Sequence, residues 1–244
     1  MHFETAKRSI AKTLSWRFWA TLTTGALVYI FTGQLILAAS IGVAEVVAKM
    51  VLYFIHERAW ERIDFGKEEV PAFVVWFTGL PASGKTTLAD LIHQELAKRK
   101  LRVERLDSHN VRALFPETGF DPQDVDGHIR RVGHLAAMLE QNGIIVVASF
   151  VSPYRAGREF ARRVADNFIE VYLDTTAEAS EKRDESGNYL KARQGLIKNF
   201  PGVNSPYETP EDPHLTVKVD EHDPEEAAEQ VLHYLKREMF NGRW

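Results

Sequence analysis

No stretch limits the fold of this chain more than Phe73-Val74-Val75-Trp76-Phe77-Thr78-Gly79-Leu80-Pro81-Ala82-Ser83-Gly84-Lys85-Thr86. Its first half is a continuous β-prone run, as expected of a parallel strand buried on both faces. Its second half fits the spacing G-x-x-x-x-G-K-[ST], and a helical stretch over 87–100 follows. Glycines at that spacing let backbone amides turn toward phosphate oxygens, and the start of the helix adds its positive dipole end. Gly79, Leu80, Pro81, Ala82, Ser83 and Gly84 are therefore expected to cradle the phosphates of a nucleotide. Lys85 is expected to reach the terminal phosphates, and the Thr86 hydroxyl to hold magnesium.

Alternation continues beyond this loop. Strand patterns at 101–106, 144–149, 168–173 and 215–219 alternate with helical patterns at 124–141, 155–165, 177–183 and 224–239. Such a series predicts an α/β fold, a phosphate-loop kinase with a parallel sheet and helices on both faces. Ligands in these sheets sit at the carboxyl ends of the strands, where LDSHNVR (106–112) and SFVSPYR (149–155) begin. Residues 184–213 form a long, turn-rich and cationic segment, read as a lid that closes over nucleotide. Arg183 at its start is a further nucleotide-binding candidate.

The first quarter of the chain differs in kind. Residues 18–55 carry only two charges, Glu45 and Lys49, whereas the remainder has a soluble balance. Two apolar segments, 14–31 and 35–55, are joined by Thr32-Gly33-Gln34. About 20 helical residues cross a hydrocarbon core, so the pair reads as an α-helical transmembrane hairpin over 1–66, followed by a kinase domain over 67–244. Lys7, Arg8, Lys12 and Arg17 flank the entry, Arg58, Arg62 and Lys67 the exit, and the short connection has no cation. That places both termini, and the kinase domain, on the cytoplasmic side of the inner membrane. An amphipathic hairpin buried within a soluble protein is the alternative. The net charge of −4 gives no support to a nucleic-acid partner. No cysteine is present, which excludes disulfides and thiolate metal sites.

Several motifs together resemble the adenylylsulfate (APS) kinases. These are VWFTGLPASGKTTLA, LDSHNVR, GFDPQDVDGHIRR, SFVSPYR and IKNFPGVNSPYE, spread over residues 71–240. The resemblance implies phosphoryl transfer from MgATP to the ribose 3′-hydroxyl of adenylylsulfate, with ATP and Mg2+ as cofactors and a homodimer as a possible assembly. It implies that Asp107 orients the acceptor hydroxyl or a magnesium-bound water. Arg112 and Arg131 would hold the acceptor's anionic groups, and Phe120 and Phe200 would sandwich its adenine. Ser152 matches a catalytic serine, and Lys198 and Asn199 match lid positions. The N-terminal hairpin resembles a small membrane domain with the pattern Lys-Thr-x-Ser-(Trp/Tyr)-Arg.

The match breaks at four positions in the acceptor region. Where the family has Gly-Asp after the first Asp, this chain has Ser108-His109. Its Asp-Arg pair is Asp124-Val125, and the Asn that follows is His128. An intact donor loop beside an altered acceptor corner leaves two other readings open. One is a kinase of a different hydroxyl acceptor, such as another nucleotide conjugate. The other is a non-catalytic, membrane-bound nucleotide sensor.

Overall fold

The computed structural model describes residues 2–4, 10–12, 14–16, 19, 23, 36–63 and 67–240. The chain divides into two compact units, His2–Glu69 and Val70–Trp244.

In the first unit, strand β1 (His2–Glu4) pairs antiparallel with β2 (Lys67–Glu69), a pairing the sequence did not lead us to expect. Helix α1 (Ile36–Glu61) covers the second apolar segment and runs on past its expected end. Most of the first segment and the connection after it lie outside the described residues. Among the described residues, no helix is long and apolar enough to cross a membrane. Lys12, Ser15 and Trp16 meet the last turns of α1 in antiparallel order. Lys12 pairs with Glu57 at 3.4 Å, Ser15 Oγ meets His56 Nε2 at 2.8 Å, and Trp16 packs edge-on to Tyr53.

The second unit is built on five parallel strands in the order β4-β5-β3-β6-β7: β3 (Val74–Thr78), β4 (Val103–Asp107), β5 (Ile145–Ser149), β6 (Phe168–Asp174) and β7 (Leu215–Lys218). Strand side chains alternate between faces, so β3 serves two cores at once. Val75 and Phe77 pack with Leu88, Ile92 and Leu96 of α2 (Lys85–Lys98) and Val231 and Leu235 of α8 (Pro224–Glu238). Val74 and Trp76 pack on the opposite face with Ile129, Val132 and Ala136 of α4 (Pro122–Gln141) and Ala161 of α5 (Arg155–Val164). Every residue of β3 and β5 is buried, which is why both read as unbroken apolar runs.

The register sets the site. Phe77 and Asp107 both lie opposite Ser149, so the carboxyl ends of β3, β5 and β4 are level. Two short helices add to the pattern read from sequence. Helix α3 (Ser108–Leu114) starts directly after β4, and α7 (Asn188–Arg193) organises the expected lid. Between β6 and the lid lies α6 (Ala177–Lys182).

Candidate active site

The donor side follows from local backbone demands. Gly79 sits at φ +155°, and a Cβ there would come within 3.0 Å of the Leu173 carbonyl and Ser83 Oγ. Only glycine fits that bend. The loop then feeds α2, whose first turn presents the exposed Thr86. Lys85 is 8% exposed; its Nζ donates to the Leu80 carbonyl at 2.5 Å and to Ser83 Oγ at 3.1 Å. Burial lowers its pKa from 10.5 to about 7. Ala82, Ser83, Gly84, Lys85 and Thr86 line a cleft of about 390 Å³ that is also walled by Arg183, Val219, His222 and Asp223; Gly79 and Leu80 are not among its lining residues. Arg183 is braced over it by the Val219 carbonyl and the Asp220 carboxylate, each at 3.0 Å.

A second cleft, of about 800 Å³, opens on the other side of the loop. Pro81 lines this cleft and Ala82 lines the first, so the phosphate loop forms the partition between them. The walls bring together Arg112, Phe120, Ser152, Lys198, Asn199 and Phe200, six of the residues expected to meet the acceptor. Arg112 lies over the Phe120 ring, 4.1 Å from its centroid. Thr118, which sequence reading overlooked, anchors both arginines. Its carbonyl accepts from Arg112 at 2.9 Å, and its hydroxyl accepts from Arg131 at 3.1 Å. Arg131 itself is not among the lining residues. Val125 and His128 are on the wall, as their place in the altered motif suggested.

Asp107 and Ser152 both brace the frame of the site. Asp107 caps α3, with Oδ1 accepting from the His109 and Asn110 amides at 2.9 and 2.8 Å. Its Oδ2 accepts from the Asn110 side chain and pairs with Arg105, both at 3.1 Å. A carboxylate offers about four acceptor positions, and these four donors use them. Ser152 is 1% exposed and held at φ 39°. Its hydroxyl donates to Thr78 Oγ1 at 2.9 Å and accepts from Trp76 Nε1 at 3.1 Å. Buried Arg158 donates to its carbonyl and pairs with Glu170 at 3.0 Å.

The lid is an ordered strap docked on the loop. Tyr189 OH donates to the Pro81 carbonyl at 3.0 Å, and Gly202 lies against Leu80, where a Cβ would sit 2.7 Å from Leu80 Cδ2. Asn204 accepts from the Phe200 amide at 2.7 Å and donates to the Ile197 carbonyl at 2.7 Å, which fixes the turn carrying Phe200. Tyr207 OH meets Thr78 Oγ1 at 2.9 Å. Tyr189 gave no signal in the sequence, since an aromatic in a turn-rich segment has no periodicity to place it, and Tyr207 lies within the IKNFPGVNSPYE motif with nothing local to point it at Thr78.

Magnesium suits this donor side. Among the described residues no cluster of three or more His, Asp or Glu side chains is poised for a metal. A magnesium ion held by one hydroxyl, phosphate oxygens and water needs no such cluster, and Thr86 is exposed where that hydroxyl belongs.

A parallel sheet, a phosphate loop opening α2, a second cleft across that loop and a strap that walls this second cleft define a phosphate-loop kinase. Comparison with known proteins narrows the class. The chain belongs to the adenylylsulphate kinase family, whose profile matches residues 71–218. The adenylyl-sulfate kinase of Thermodesulfovibrio yellowstonii is 44% identical over 171 residues, 69% of this chain and 86% of that one. That of Halothermothrix orenii is 44% identical over 167 residues, 68% and 90% of the two chains. The structure of the Mycobacterium tuberculosis APS kinase in complex with AMPPNP and APS superposes with a TM-score of 0.65 at 35% identity. It covers 69% of this chain and 99% of that one. Residues 10–61 match a second family, described as a predicted membrane protein (DUF2061).

Proposed function

We propose that the chain transfers the γ-phosphoryl group of MgATP to the 3′-hydroxyl of adenylylsulfate, giving 3′-phosphoadenylylsulfate and ADP. The partition of two clefts by one phosphate loop, residue Pro81 on one side and Ala82 on the other, carries this reading. Phosphoryl transfer asks for in-line positioning and charge neutralisation rather than covalent chemistry. The acceptor's 3′-oxygen forms a bond to the γ-phosphorus as the bond to the β,γ-bridging oxygen breaks; ADP departs with that oxygen, and the hydroxyl proton passes to water. Lys85 neutralises charge on the terminal phosphates, and Thr86 would hold the magnesium, which screens them further. Arg112, Phe120 and Phe200 orient the acceptor. Asp107 acts through α3, fixing the helix that carries Arg112. Ser152 shapes the wall with its backbone while its hydroxyl ties that wall to Thr78.

The test is ADP release by the full chain in detergent with MgATP, with and without adenylylsulfate. Strong stimulation is expected. ATP binding without stimulation would return the reading to a different acceptor or a nucleotide sensor.

The N-terminal unit is proposed to anchor the enzyme at the inner membrane as a two-helix hairpin, with the kinase unit facing the cytoplasm. The match to a predicted membrane protein family supports this, as do the exposed Met50, Val51, Phe54 and Ile55 on α1. An isolated exposed apolar residue is ordinary, but a run of them on one helix marks an interaction face. The full chain should pellet with membranes after lysis and require detergent; recovery in the soluble fraction would refute the anchor.

A further inference from the structure

Glu208 closes the IKNFPGVNSPYE motif, yet it lines neither cleft. Its carboxylate serves the start of another element: Oε2 accepts from the Arg155 amide at 2.6 Å. That amide is the first of α5, whose own N-cap residue, Tyr154, makes no capping bond with its side chain. The opening N–H groups of a helix have no partner within it, and a carboxylate placed there also meets the positive end of the dipole. The strap thus caps α5 from 53 residues further along the chain. Backbone bonds complete the joint. The Glu208 amide donates to the Pro153 carbonyl at 2.8 Å, and the Glu208 carbonyl accepts from Arg158 Nη2 at 2.6 Å. Arg158 Nη1 in turn donates to the Ser152 carbonyl at 2.7 Å.

We propose that Glu208 is a positioning residue for the acceptor, which sets two walls of the second cleft relative to each other without touching the substrate. This rests on the kinase reading above. One wall is Ser152, Pro153 and Tyr154, the turn that feeds α5; the other is the strap over 196–201. The two segments are distant in sequence and are joined at Glu208, with a weaker tie from Tyr154 OH to Ser205 Oγ at 3.3 Å. No residue of the strap lines the donor cleft. Slackness in this joint therefore displaces the acceptor and leaves ATP in place. In-line transfer is sensitive to such a displacement, since a shift of about 1 Å at the reacting atoms is already costly.

The experiment is steady-state kinetics and thermal unfolding of the full chain in detergent, comparing the wild type with Glu208→Ala, Glu208→Gln and Glu140→Gln. Glu208→Ala removes the cap but keeps both backbone bonds of residue 208. It is expected to lower kcat/KM for adenylylsulfate about threefold to tenfold, the worth of one cap. Its KM for ATP should stay within about twofold. Glutamine keeps an oxygen for the Arg155 amide, so Glu208→Gln should restore the wild-type kcat/KM. Glu140 is the control for mere loss of stability. Its carboxylate accepts from the Asp166 and Asn167 amides at 3.0 and 2.8 Å, at the amino ends of the strands and away from both clefts. Glu140→Gln should lower the Tm and leave both KM values unchanged. The proposal would be overturned by an unchanged kcat/KM in Glu208→Ala, by an equal loss for ATP, or by equal damage in Glu208→Gln. The same acceptor-selective loss in Glu140→Gln would also overturn it, as would the absence of a cooperative unfolding transition in Glu208→Ala. Absence of adenylylsulfate-dependent turnover in the wild type would instead overturn the kinase reading, and this one with it.

Discussion

At the scale of the residue, Lys85 shows what burial does to a phosphate ligand. Its ammonium is nine-tenths removed from water and bonded only to a carbonyl and a hydroxyl, so its pKa falls to about 7. The sign follows from proton counting. The unfolded chain holds that proton up to the ordinary lysine range, while the folded chain releases it near neutrality. Between about pH 7 and 10 the unfolded state thus binds more protons, and this group makes stability rise with pH. Phosphate binding reverses the balance by favouring the charged form. ATP affinity should therefore weaken as pH rises above about 7, with proton uptake on binding above that pH. Calorimetry in buffers of different ionisation enthalpy would check this, and the uptake should vanish in Lys85→Met. Lys85→Ala should lower kcat about 10²-fold or more, measured as acceptor-dependent ADP release. Arg158 makes a different case. It is 2% exposed and shares Glu170, 5% exposed, with Arg162 at 2.8 Å, so Arg158→Leu removes one of two cations and leaves the Ser152 and Glu208 carbonyls without this donor. The cost should be about 1–3 kcal/mol, read as a fall in denaturant midpoint.

Among the elements, the strap over 184–210 is the one whose behaviour the geometry predicts most sharply. Its two anchors on the loop, Tyr189 on the Pro81 carbonyl and Gly202 on Leu80, lie on the partition between the clefts. Gly202→Ala adds a Cβ against Leu80 at a φ of +87°, a strain of about 1–3 kcal/mol. Because the partition is common to both clefts, kcat/KM should fall for ATP and for the acceptor together. Loss of one alone would refute the shared hinge. Legibility in the sequence divided along the same line. The sheet and the phosphate loop could be read because β3 and α2 declare themselves through a local apolar run and a fixed glycine spacing. Arg112, Phe120, Ser152 and Phe200 could be placed through motif resemblance. Helices α3 and α7 are too short for periodicity to show, and the second is held by long-range contacts. Thr118, Tyr189 and Tyr207 matter through partners distant in sequence, which no local pattern encodes. The same holds for the contacts of the Asp107 carboxylate and for the buried hydroxyl of Ser152.

For the whole molecule, two compact units imply separable properties. The sheet, both clefts and the strap all fall within Val70–Trp244. Residues 70–244 alone should fold and turn over with kcat within about twofold of the full chain, as expected of a domain with its own core. The same fragment should leave the membrane fraction. A fragment that unfolds or loses activity would show that the N-terminal unit contributes to the site.

One buried chain of contacts has an optical consequence. Trp76 is the only tryptophan between residues 61 and 243. Its indole N–H reaches Ser152 Oγ, Ser152 reaches Thr78, and Thr78 reaches Tyr207 on the strap. A kinase unit cut before Trp244 therefore carries one tryptophan, joined by three hydrogen bonds to the strap. Lifting Tyr207 away would alter what Thr78 accepts and hence what the indole nitrogen sees, so emission from a fragment ending before Trp244 becomes a label-free clock for strap opening during turnover.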